Sequence, residues 1–288
     1  MRELMLRSTP RRLTVLAFRE IPDRATLRAQ LDRIQRNSVP VSLAQVESAL
    51  NGGPALPPRS VLLTFESGHR SVVTQALPVL TERRLPAVAF VVAELVDTEQ
   101  PYWWDEAEAL VRAGGWARCM PPGVDVRAAL SALPDPDRRR SLAELRVTAR
   151  HQAPAAEQLT SDDLRALLNA GVSLGNHSLG HAPLASCDSY ALHEQVVGGH
   201  DRMVALTGVA PTAFAYPDHT PDLRASALLR ELGYRLAFTT DGRDVDPSLA
   251  PDHFALSRIA VAPDPSHLRS DTLFARLRLR VPTPASAL

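Results

Sequence analysis

Two histidines four residues apart, His177 and His181, sit in a loop flanked by Gly175 and Gly180. Imidazoles at this spacing can turn toward one point and leave room for water on a shared ion, and they can equally be a pair of hydrogen-bonding loop histidines. Glu66 ends the apolar run Val61-Leu62-Leu63-Thr64-Phe65, a costly place for a carboxylate unless it is paired, metal-bound or catalytic. The alternative is a Glu that swings to solvent or pairs with Arg70. A third polar cluster, Tyr216-Pro217-Asp218-His219, follows another apolar run. His69, His193, His200, His253 and His267 have no companion at a telling spacing and read as surface or core histidines.

The elements that would position these groups are legible as short apolar runs between amphipathic stretches. Candidate strands are Leu13–Phe18, Val61–Phe65, Ala87–Val92, Val172–Leu174, Thr212–Tyr216, Leu236–Thr239 and Leu256–Val261. Helical patterns lie between most of them, at Ala25–Arg36, Leu43–Leu50, Ser71–Arg84, Asp162–Asn169, Tyr190–Leu206 and Leu223–Leu232. The alternation predicts a parallel α/β sheet. Thr160 offers an N-cap, and Gly171 and Gly233 stand where C-caps belong. The three polar clusters all follow candidate strands, so in a parallel barrel they share one rim. Residues 97–158 break the rhythm with six prolines around two helical pieces, Trp104–Val111 and Arg138–Arg150, and read as an insertion overhanging that rim within a single domain spanning 1–288.

Composition narrows the function classes. Lys plus Arg and Asp plus Glu number 32 each, which argues against a nucleic-acid or anionic-membrane surface. Every basic residue is Arg, so Schiff-base chemistry and a P-loop lysine are excluded. Two cysteines, Cys119 and Cys187, make no disulfide framework. Residues 1–20 lack an apolar signal core and no window approaches a membrane span, so a cytoplasmic location is expected.

Thr64-Phe65-Glu66-Ser67-Gly68-His69-Arg70-Ser71 resembles the Thr-Phe-Asp-Asp-Gly-Tyr-x-Ser motif of the polysaccharide deacetylases, carbohydrate esterase family four with its NodB homology domain. Gly175 to His181 is similar to the family's Gly-x-His-Ser/Thr-x-x-His motif, and Phe214-Ala215-Tyr216-Pro217 to its Phe-Ala-Tyr-Pro segment. Arg235 to Thr240 and Ser257-Arg258-Ile259 resemble the closing strands. The resemblance implies a distorted (β/α) barrel of seven or eight parallel strands and metal-dependent hydrolysis of an amide bond, removing the acetyl group of an N-acetylated amino sugar or a glycosylated small molecule. It implies Glu66 at the general-base position, His177 and His181 as ligands of a divalent metal such as zinc, and Tyr216, Pro217 and Arg258 as substrate contacts.

Two departures stand out. Glu66 is one methylene longer than the family's Asp, and Ser67 replaces its carboxylate ligand with a neutral hydroxyl, a poor partner for zinc. The Arg that many relatives place two residues before the motif's Pro is here Ala215, and the late Leu-x-His motif has no counterpart. Asp218 and His219 are metal-competent substitutes, although Asp218 could instead cap the helix beginning near Pro221. The competing expectation is a catalytically impaired barrel that binds a carbohydrate or protein partner in the inherited groove.

Overall fold

The structure is a computed structural model and describes residues 12–118, 120, 123–241, 245 and 252–261. Strands β1 (Leu13–Phe18), β3 (Ser60–Phe65), β4 (Ala87–Val91), β5 (Val172–Asn176), β6 (Ala213–Ala215) and β7 (Leu236–Phe238) form a curled parallel sheet in the order β7-β6-β5-β4-β3-β1, with β8 (Ile259–Ala260) beyond β1. The segment carrying β8 reaches both edges. Leu256 bridges to Phe238 of β7, and Ile259 and Ala260 pair with Leu16 and Ala17 of β1. This closes the distorted barrel that the sequence predicts.

Strands β1, β3, β4, β6 and β7 are nearly continuous in apolar residues because both faces are covered. On β3, Leu62 joins Val15, Val88, Phe90 and Phe238 in one cluster, while Val61, Leu63 and Phe65 join a second. The second cluster also takes in residues of α1 (Arg24–Asn37), α3 (Leu77–Arg83) and α7 (Ser161–Asn169). The twofold period of a strand thus sends alternate side chains into the barrel and toward the helices.

The helix α2 (Leu43–Leu50) starts at a capping box between Ser42 and Gln45, and α7 starts at one between Thr160 and Asp163. Gly171 and Gly233 adopt φ of +81° and +84° where helices end. Several features escape the sequence pattern, among them a π-helical turn at Val72–Ala76 within the Ser71–Arg84 stretch. β2 (Val39–Pro40) is a two-residue strand beside the start of β3. The long pattern at Tyr190–Leu206 is broken into α8 (Ser189–His193), a π-helical turn at Glu194–Gly198 and α9 (Gly199–Thr207).

Between β4 and β5 the chain forms α4 (Trp103–Arg112), α5 (Val126–Ser131) and α6 (Asp135–Thr148), which pack together around Leu110, Leu130, Leu142 and Leu145. The start of this segment lies against the His177–His181 loop, as detailed below. α10 (Leu223–Glu231) completes the helices. Among the described residues, no helix is long and apolar enough to cross a membrane.

Candidate functional site

Glu66 directly follows β3, and His177 directly follows β5. The loops behind them bend sharply. Of the seven described non-glycine residues with positive φ, four lie here: Ser67, Ser178, His181 and His219. Such conformations carry strain and persist where surrounding contacts hold them.

Glu66 is buried, and its Oε1 accepts a 2.6 Å charge-assisted hydrogen bond from Arg258 Nη2. Arg258 is fully enclosed, with its Nε donating to the Thr239 carbonyl and its guanidinium over the Phe90 ring. Burial alone would raise the Glu66 pKa. The guanidinium outweighs it only together with the smaller effects of His177, His219 and Arg19, and the carboxyl is held below its ordinary range. Arg258 was expected to contact substrate. Its side chain instead lies beneath Glu66, supplying the positive charge that Ala215 cannot.

His177 donates from Nδ1 to the Ala215 carbonyl at 2.8 Å, which leaves Nε2 unprotonated when the ring is neutral. Complete burial pushes its pKa down to about 4. His181 is held well below the usual histidine value by burial and by His177. The two rings lie edge to face with centroids 4.6 Å apart. Their loop is fixed from the π-helical turn: Gln195 accepts from Leu179 N through its carbonyl at 2.8 Å and from Gly180 N through Oε1 at 2.9 Å. No sequence pattern marks Gln195, because the extra residue of a π turn leaves no hydrophobic signature.

Gly199 lies against the same loop. A Cβ there would come within 2.8 Å of Leu179 N and 2.9 Å of Ser178 C. Gly199→Ala should therefore destabilise the protein by about 1–3 kcal/mol, the usual cost of forcing atoms into packed backbone. Thermal unfolding measures this, and a change below about 0.5 kcal/mol would show that the histidine loop yields freely.

Tyr216, expected at the mouth, is fully buried, with its hydroxyl bonded to Ser226 and the Phe254 carbonyl, so its side chain supports the wall from behind. Pro217 is also buried. Asp218 does not cap α10, whose N-cap is Asp222. Its carboxylate instead accepts from Ala185 N at 3.4 Å and Thr220 N at 3.3 Å. His219 is nearer the centre of the site. Burial favours its neutral ring, and its Nδ1 is buried without a protein partner among the described residues.

These residues do not make the metal site that the resemblance implies. Ser67 offers a neutral hydroxyl, Asp218 is engaged in its own turn, and among the described residues no three His, Cys, Asp or Glu side chains are grouped to hold an ion. Two imidazoles alone are a weak donor set for zinc.

An aromatic wall stands over the site. Tyr102 and Trp104 stack at 4.7 Å with planes 10° apart, Tyr102 donates to the Ser67 carbonyl at 2.9 Å, and Trp104 packs against His181 at 4.6 Å. Trp103 Nε1 donates to the His181 carbonyl at 3.0 Å.

Among solved structures, this fold is similar to IcaB from Ammonifex degensii, with a TM-score of 0.61 and 21% identity over 88% of this chain and 93% of that one. It is also similar to the BpsB deacetylase domain from Bordetella bronchiseptica, with a TM-score of 0.60 and 19% identity over 88% and 96%. In sequence, 75 residues are 40% identical to the poly-β-1,6-N-acetyl-D-glucosamine N-deacetylase of Escherichia coli K12, a match spanning 26% of this chain and 11% of that protein. The model of the polysaccharide deacetylase family matches residues 53–119 and 143–237, more than half of the chain. The three motif segments around Glu66, His177 and Pro217 fall inside those bounds and converge in the fold, and the chain belongs to the polysaccharide deacetylase family.

Proposed function

We propose that this chain hydrolyses the N-acetyl amide of an amino sugar within a saccharide. The observation that carries the reading is the Glu66–Arg258 pair: a carboxylate kept ionised at the end of a barrel strand, beside two neutral imidazoles. Family membership supports the reaction class, and the E. coli relative supports an N-acetylglucosamine polymer as the substrate class.

In this reading Glu66 takes a proton from water as the water oxygen bonds to the acetyl carbonyl carbon. Arg258 engages Oε1, and Oε2 has no protein partner among the described residues. The carbon–nitrogen bond then breaks, the amine leaves with a proton and acetate remains. Glu66 returns the proton it took from water to the leaving nitrogen, and His219, whose neutral ring is favoured by burial and whose Nδ1 has no protein partner among the described residues, is the group we assign to hydrogen bonding beside that nitrogen. His177 and His181 act as neutral hydrogen-bonding groups near Glu66.

A second reading is favoured by one observation, the lack of a grouped three-ligand set among the described residues: a barrel that binds the saccharide without turnover. Acetate release from N-acetylglucosamine oligomers, assayed with and without chelator, separates the two. Release lost at least about 100-fold in Glu66→Gln is expected, whereas oligomer binding with no release favours the second reading. Ser67→Asp restores an anionic group at the position where the family has its carboxylate ligand, a positive-φ position that Asp tolerates. That variant should bind zinc at least about tenfold more tightly than the natural chain. Equal or weaker binding by calorimetry would count against this account of position 67.

A further inference from the structure

The aromatic wall divides the mouth into two cavities. Ser67 opens into one of about 210 Å³, together with Arg19, His69 and Arg127. His181 opens into another of about 310 Å³ on the far side of the Tyr102–Trp104 stack, lined also by Glu94, Gln100, Trp103, Arg138 and Arg146. We propose that this second cavity is a saccharide subsite, which seats a neutral, hydroxyl-rich sugar ring adjoining the one whose amide is cleaved.

Charge decides the ligand class. Arg146 grips Glu106 through two hydrogen bonds of 2.6 and 2.7 Å, and Arg138 and Arg139 both hold Asp135. The arginines are therefore already matched by carboxylates, and the cavity has little excess charge to attract an anion. What it offers is hydrogen bonding. Glu94 has no ion pair within 4 Å among the described residues, and its carboxylate lies against the bare backbone of Gly180, where a Cβ would come within 2.3 Å of Oε1. Arg138 is 97% enclosed yet keeps a buried Nε without a protein partner. Gln100 presents an exposed amide, and Trp103 supplies an apolar ring with Arg138 over it. Spaced donors and acceptors around an aromatic wall suit the alternating polar and apolar faces of a sugar ring. The volume is at the lower end of ligand-sized cavities, room for one ring.

This subsite rests on the deacetylase reading, and the test keeps the two apart. Binding of N-acetylglucosamine tetramers, β-1,4-linked and β-1,6-linked, is measured by calorimetry in chelator, and acetate release is measured on the same samples. Glu94 and Gln100 are exposed, so Glu94→Ala combined with Gln100→Ala leaves the fold intact, which circular dichroism checks. The double variant should lose at least tenfold in affinity, while Arg202→Ala, at an exposed position on α9, binds as the natural chain does. If the double variant binds normally, or loses no more than Arg202→Ala, the subsite is wrong even though acetate release continues. If the natural chain neither binds nor deacetylates either tetramer, the deacetylase reading falls, and the subsite with it.

Discussion

Replacing Arg258 with Met should cost about 3–5 kcal/mol of folding stability at neutral pH, the typical penalty for stranding one partner of a buried ion pair. The geometry leaves Glu66 no remedy: its side chain is 6% exposed and Arg258 Nη2 is the hydrogen-bond donor it has. Without the guanidinium the carboxyl would protonate, so Arg258→Met should also abolish any reaction that needs Glu66 as a base. Met is chosen because it fills a similar apolar volume beside Phe90. The double variant Glu66→Gln with Arg258→Met should recover part of the loss, since neither charge is then buried alone. Urea unfolding of the three variants gives the answer, and a single-variant loss below about 1 kcal/mol would remove Arg258 from its assigned role.

Acidification in the presence of chelator should weaken the fold through His177. Its folded pKa of about 4 lies below the ordinary 6.5, so between these values the unfolded chain takes up a proton that the native chain refuses. Stability from this group is complete above about pH 6.5 and falls as pH drops toward 4, by about 3 kcal/mol in all. His181 and His219 act in the same direction. Glu94, Asp105 and Asp218 oppose them, because their raised values favour the protonated form in the native state. The comparison with His177→Asn isolates the one residue, since Asn keeps a donor for the Ala215 carbonyl but does not titrate. The slope of stability against pH should be shallower in the variant by about that amount, and parallel slopes would be incompatible with a neutral buried His177.

Much of this architecture is legible from spacing alone, for physical reasons that also mark the limit. A strand covered on both faces must be apolar throughout, so β1, β3, β4 and β5 stand out within a residue or two of their ends. Capping is local as well, which is why Thr160 and the two C-cap glycines can be read directly. Glu66, His177 and His181 are visible as polar residues ending apolar runs, and the fold gathers them. Arg258 is legible only as part of a strand and, through the resemblance, as a substrate contact; its pairing with Glu66 is not, because the two lie 192 residues apart and no local pattern encodes such a pair. Asp218 shows the opposite failure: the right chemical type at the right strand end, turned aside by two backbone N–H groups. β2 and the π-helical turn at Glu194–Gly198 are too short to leave any periodicity.

The strand that closes the barrel also brings Arg258 to Glu66, which sets an order of assembly during synthesis. While the ribosome has made only the residues through β7, the Glu66 carboxylate has no guanidinium, and β1 lacks its second neighbour. Burying Glu66 at that stage would cost several kcal/mol, so the nascent barrel is held open at its seam with the carboxylate in water. Contacts of such long range form late and slowly. Residues 256–261 bring both the seam's pairing and the guanidinium, so a chain stopped before them is expected to leave the sheet edges unpaired and Glu66 without its partner.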